Sequence, residues 1–229
     1  MLAALLSRVR RILGRVRPCD VFDGPAVALA TAVAAGDAKR IAALIAQGAD
    51  PNTHGHHGLT LLQWAVFQHA NRGLAALIAA GADPTQADVS GVTAIHDAAA
   101  VVWPDVLPVL LGAGADPNVR NTVTGAVPLA SAVLAHRRSQ LRQLLAAGAD
   151  PNLADRVGNT PLLVAAEVNA MDDILALLDA GADPRHLNQR GEGLVKILDV
   201  TPARMLLPAT AAARARVDDW LRRHGIPAA

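Results

Sequence analysis

Gly158-Asn159-Thr160-Pro161-Leu162, the apolar run Ile174-Leu175-Ala176-Leu177-Leu178 and the tetrapeptide Gly181-Ala182-Asp183-Pro184 together make one unit of a pattern that fills most of the chain. The threonine is placed to cap a helix that carries proline in its first turn. Val164, Ala165 and Ala166 continue that helix with small residues that permit close packing, and the leucine run gives a second helix an apolar stripe at 3.6-residue spacing. Gly181 then supplies the left-handed residue of a helix C-terminus, and Pro184 prevents the helix from resuming.

Working outward, Gly-Ala-Asp-Pro begins at Gly48, Gly81, Gly114, Gly148 and Gly181, at spacings of 33, 33, 34 and 33 residues. A fixed period of this length is the mark of stacked supersecondary units, each too small to bury its own apolar face without neighbours. The expected fold is all-α: about six helix-turn-helix units joined by hairpin-like loops, with atypical units at both ends. Their bounds are about 22–52, 53–85, 86–118, 119–152, 153–185 and a divergent cap at 186–226. In the first unit, Ala28 to Ala35 and Ile41 to Ala46 read as its two helices. In the last, Leu194 to Val200 is followed by a delayed helix from Ala211 to Arg223, and Arg214, Arg216, Asp218, Asp219, Arg222 and Arg223 are candidates to solvate the open end.

These residues resemble the ankyrin repeat, whose unit combines a turn glycine, Thr-Pro-Leu-His, an Ala-Ala pair, a leucine-rich second helix and Gly-Ala-Asp. Thr160-Pro161-Leu162-Leu163 is the nearest copy of the first-helix motif. Thr60-Leu61-Leu62-Gln63 lacks proline and histidine, Thr93-Ala94-Ile95-His96 keeps the histidine, and Val127-Pro128-Leu129-Ala130 keeps Pro-Leu. The resemblance covers roughly residues 22–226. It implies a scaffold that binds a protein on its concave face, made by the hairpin tips and the exposed side of the first helices.

Carried over by position, the tips are His56, His57 and Leu59; Val89, Ser90 and Val92; Val123, Thr124 and Ala126; Arg156, Val157 and Asn159; and Gln189, Arg190 and Glu192. The residues after each Ala-Ala-like pair are Phe67 and Gln68, Ala100 and Val101, Leu134 and Ala135, and Glu167 and Val168. Leu59, Phe67, Val92, Val101, Leu134 and Val168 are thus expected as an apolar row on one face, a common sign of an interface. His96 is expected to tie adjacent turns together, Trp64 to border the groove, and Trp220 to pack under the C-terminal cap.

Composition narrows the function classes. The 229 residues are 52% hydrophobic but only 2% aromatic, without tyrosine, which suits small, closely spaced helices. The single cysteine, Cys19, forms no intramolecular disulfide, so a cytoplasmic location is expected. No apolar run reaches the length of a membrane span, and Met1 to Leu6 is too short for a secretory signal core. The tyrosine-free, alanine-rich composition suggests a bacterial source.

Net charge is +1, yet Arg8, Arg10, Arg11, Arg15 and Arg17 lie in a segment without acids, leaving 16 basic against 20 acidic residues elsewhere. The mildly acidic body speaks against a nucleic-acid binder. Residues 1–21 read as a basic amphipathic helix, with Leu2, Leu5, Leu6, Val9, Ile12, Leu13 and Val16 on one face. Such a helix can dock on the first unit, or meet an anionic membrane or a partner through Arg8, Arg11 and Arg15.

No catalytic constellation emerges. Ser131 with His136 lacks a strand-to-helix elbow, and Cys19 beside Pro18 lacks an adjacent base. The histidines of His54-Gly55-His56-His57 have no neighbouring carboxylate or thiol to complete a metal site. The expectation is a monomeric, non-catalytic, cofactor-free protein that binds another protein. Membrane-surface adaptor and inhibitor of a toxin or enzyme stand as alternatives.

Overall fold

The computed structural model describes residues 16–201 and 205–227. Twelve α-helices are present among them, in antiparallel pairs: α1 (Pro25–Ala35) with α2 (Ala38–Ala46), α3 (Leu61–Phe67) with α4 (Asn71–Ala79), and α5 (Ala94–Ala100) with α6 (Leu107–Gly112). They continue as α7 (Pro128–Leu134) with α8 (Arg138–Ala146), α9 (Pro161–Glu167) with α10 (Met171–Asp179), and α11 (Leu194–Val200) with α12 (Pro208–Arg223). First helices pack on first helices and second on second along the whole series. The hairpin-like loops hold two isolated antiparallel bridges, His54 to Thr60 and Ala87 to Thr93.

A seven-residue helix is far too short to persist alone in water, so each depends on its neighbours. All seven residues of α5 are buried, as are six of the seven in α3, α7 and α9. Their side chains join one continuous core that runs from Phe22 to Ile226. Local signals fix where the helices start: the Thr60 and Thr160 hydroxyls accept from the Gln63 and Leu163 amides.

Close approach between units sets other residue choices. A methyl on Gly73 of α4 would lie 2.0 Å from the Val33 carbonyl oxygen, so glycine is what lets α4 sit on α1. The tight turns between paired helices use a left-handed residue: Gly36 in the first unit, but His69, His136 and Asn169, at φ of 53°, 55° and 54°, in the second, fourth and fifth. The third unit departs from this scheme, with Trp103-Pro104-Asp105 in a longer connection and a shortened α6.

On the Gly-Ala-Asp-Pro edge, asparagines stitch one loop to the next. Asn118 Oδ1 accepts from the Asp150 amide (2.7 Å) while its Nδ2 donates to Gly148 O (3.2 Å). Asn52 and Asn152 repeat the arrangement toward Asp83 and Asp183. Thr85 occupies the corresponding position before the third unit, and its hydroxyl bonds back to Asp83 of its own loop.

Several expectations need correction. Residues 16–21 are not α-helical: Pro18–Asp20 is a 3₁₀ turn, and Val21 is followed by the buried Phe22, which packs on Trp64. Residues 1–15, with Arg8, Arg11 and Arg15, lie outside the described residues. Helix α12 starts three residues earlier than expected, because Pro208 suits a first turn. Arg214 does not solvate the end; it is 5% exposed and held by Leu198 O (2.8 Å), Asp218 (2.8 Å) and Asp199 (3.5 Å). Trp64 is buried rather than at the groove, its indole N–H donating to Ala30 O at 3.1 Å. The C-terminal end is instead made polar by Lys196 and Asp199, exposed at register positions where the preceding unit buries Leu163 and Ala166.

Candidate partner-binding face

The hairpin fingers project from the first helices and are tied into a ladder. The Thr122 amide donates to Gly91 O (3.2 Å), Arg156 to Thr124 O (2.9 Å) and Gln189 to Val157 O (3.1 Å). Side chains add rungs: Asn121 to Ser90 O (3.1 Å), Arg156 to Thr122 O (2.7 Å), Arg120 to Ala154 O (2.5 Å) and Gln189 to Arg156 O (2.8 Å). Asp88 and Asp155 each accept two turn amides on one oxygen, which fixes the finger tips. The fingers are thereby shaped before any partner arrives, and little ordering cost accompanies binding there.

His96 behaves as its motif implies. Ala126 O can only accept, so Nε2, 3.1 Å away, carries the proton and Nδ1 accepts from the Thr93 hydroxyl at 2.9 Å. Burial pushes this imidazole below its ordinary pKa and favours the neutral form. In the second unit Gln63 takes the same role, its Nε2 donating to Val92 O at 3.2 Å and its Oε1 accepting from the Thr60 amide.

The expected apolar row is only partly open. Leu59, Val101, Leu134 and Val168 are half-buried and packed on the core; Phe67 and Val92 are half-buried as well. Three open apolar side chains are at finger tips, Val89 at 74% exposed, Val123 at 53% and Val157 at 55%; the others among the described residues, Leu187, Val200, Met205 and Leu207, belong to the last unit. Ser90 and Arg156 are exposed beside them. Gln68, at the C-cap of α3, is half-buried. Asn159 bridges units by accepting from Asn188 (2.9 Å) and donating to Glu167 (3.3 Å), and Glu167 also pairs with Arg190 at 3.6 Å. Glu192 is held below the usual glutamate range, chiefly by the Asn188 amide. His56 and His57 lie in a 3₁₀ turn, His56–Gly58, where His56 Nε2 is 2.9 Å from Asp23.

The sequence reading missed the asparagine stitches, although Asn follows Gly-Ala-Asp-Pro in three of the five copies. It also missed the opposite edge, where His69 stacks on Trp103 (4.9 Å, 6°) and bonds Asp105 at 2.8 Å. That contact holds the Asp105 carboxyl below its ordinary pKa. Farther along, Arg138 bridges Asp172 (2.7 Å) and Asp173 (3.4 Å). Ser131 is buried within α7 and Cys19 is exposed. No group of three metal-ligating side chains gathers among the described residues, and no helix among them is long and apolar enough to cross a membrane.

Paired short helices stacked in one direction, with bonded fingers along one edge, define a repeat solenoid. Residues 95–188 match the family model for ankyrin repeats, in three copies, and the fold is that of an ankyrin-repeat solenoid. It is similar to Protein PhlB of Serratia liquefaciens, at 50% identity over 149 residues. The matched stretch is 65% of this chain and 65% of that relative's length. Ankyrin repeats are a protein-interaction module, and the partner is not named by either comparison.

Proposed function

We propose that this is a non-catalytic binding module that holds a protein partner along the finger edge and the adjoining groove. Val89, Val123 and Val157, exposed on three successive fingers of a bonded ladder, carry this reading. Exposed aliphatic side chains on a pre-formed support are suited to supply the anchor contacts of an interface. Leu59, Phe67, Val92, Val101, Leu134 and Val168 form the half-buried floor beside them, and Gln68, Ser90, Arg156, Asn159 and Glu167 the polar margin. Exposed, unpaired Cys19 fits a reducing, cytoplasmic setting.

The test is quantitative co-purification with the wild-type chain and with a Val123→Asp/Val157→Asp variant, both shown to be folded by circular dichroism. Specific capture lost in the variant, and retained when exposed Ala146 of α8 is changed to Asp, supports the face; equal capture by all three removes it. If the captured protein is an enzyme, its activity in the complex separates a blocking inhibitor from an adaptor. The basic, leucine-bearing pattern of residues 1–17 favours a second, membrane-surface role. Sedimentation with anionic vesicles before and after deleting residues 1–17 decides it, absence of binding by the intact chain ruling it out.

A further inference from the structure

The joint between the second and third units is unlike the others. Asp97, on α5, is 6% exposed, and its Oδ2 accepts from Gln63 Nε2 of α3 at 2.9 Å. Asp88 Oδ2, from the third finger, reaches the same nitrogen at 3.5 Å. One side-chain amide therefore faces two carboxyl groups between neighbouring first helices. An amide nitrogen carries two protons, and Val92 O already draws on them. A carboxyl buried this deeply, with an amide as its donor and a second carboxyl alongside, is more readily held neutral than charged.

The surroundings identify that carboxyl. Helices α3, α6 and α7 bring no titratable side chain to Asp97; its own helix brings only His96, which is engaged with Thr93 and Ala126. From α8, Arg138 turns to Asp172 and Asp173, and Arg142 is exposed; Arg137, just ahead of α8, donates to Ala100 O. Among the described residues, the charged neighbour acting on Asp97 is Asp88, which opposes its ionisation. Asp88 spends its other oxygen on the Ser90 and Val92 amides, partners that a carboxylate satisfies well.

We propose that the contact between the second and third units is a proton-operated latch: Asp97 holds its proton while α3 and α5 are docked and releases it to solvent when they separate. The joint is held unevenly: one edge lacks the asparagine bridge of its neighbours, while on the other Asp105 bonds His69 (2.8 Å) and Asn71 (2.6 Å). Thr85 stands in place of the bridging asparagine, and Gln63 of α3 reaches the Val92 carbonyl of the third finger at 3.2 Å. Leu59 and Val92 flank this contact, so opening it divides the candidate binding face between two blocks.

Burial raises the Asp97 pKa to about 8 in the docked state, against 3.8 when free. Docking is consequently favoured at low pH, and its advantage is lost as pH rises toward 8. One proton released per opening makes the opening constant rise tenfold per pH unit across that interval. Hydrogen exchange of the intact chain, corrected for intrinsic rates, measures it directly. Amides of α3 and α5 are expected to follow the tenfold slope between pH 5.5 and about 8, and those of Asp97→Asn to be flat. A flat wild-type profile, or the same slope in the variant, overturns the latch. Infrared spectroscopy of the wild type needs no variant: a protonated-carboxyl stretch at pH 7 that fades as pH passes about 8 supports the proposal, and its absence at pH 7 defeats it.

Discussion

The ring of Phe22 stands edge-on to the indole of Trp64, with centroids 5.8 Å apart and an interplanar angle of 85°. Both side chains are at most 1% exposed, so the segment leading into α1 is fastened to the second unit before the first has completed its own helices. The Val21 carbonyl accepts the His56 amide beside them, which makes this short segment a substitute for the missing first finger.

Changing Phe22 to Ala is expected to lower stability by about 3–5 kcal/mol, the usual cost of emptying a buried phenylalanine site. Urea unfolding followed by far-ultraviolet circular dichroism measures it. A loss below about 1 kcal/mol would show that the pair is incidental to the fold.

Two glycines in equivalent helices should respond in opposite directions. Gly73→Ala forces a methyl against Val33 O and is expected to cost at least about 1–3 kcal/mol. At Gly112, near the end of α6, nothing lies within 4 Å of the added carbon, and alanine should be neutral or stabilising by about 0.5 kcal/mol. Parallel denaturation of the two variants tests the contrast.

The left-handed histidines offer a second pair. His136→Gly relieves a strain of about 1–2 kcal/mol, offset by about 0.4–1 kcal/mol of added freedom in the unfolded chain, so a gain between about 0 and 1.6 kcal/mol is expected. His69→Gly gives up the Asp105 bond and the Trp103 stack as well, and a net loss is expected. Equal midpoint shifts in the two variants would mean that these side-chain contacts contribute nothing.

Much of this architecture is legible in the sequence because it rests on local rules. Thr60 and Thr160 announce helix starts by their capping chemistry, and the Gly-Ala-Asp-Pro copies mark each unit's end. The candidate face is harder to read. Position in the repeat locates Val101 or Leu134 on the groove side, but how far each sinks depends on the neighbouring unit, which periodicity does not encode. Trp64 is buried because Phe22 packs on it and Ala30 O satisfies its N–H; Arg214 is buried because three acceptors converge on it. Both depend on contacts between residues distant in sequence. The valines at the finger tips were in the expected set, and what the structure adds is that they, rather than the helix-end residues, stand most open to solvent.

Thr85 breaks the sequence of asparagine bridges at a single step. Under tension applied along that edge, a rod with one flange unbolted on that side gapes there first, and the pieces on either side keep their shape. Mechanical extension of this protein should accordingly begin with a yield at the third unit, leaving units four to six as an intact remnant that re-engages when the load is removed.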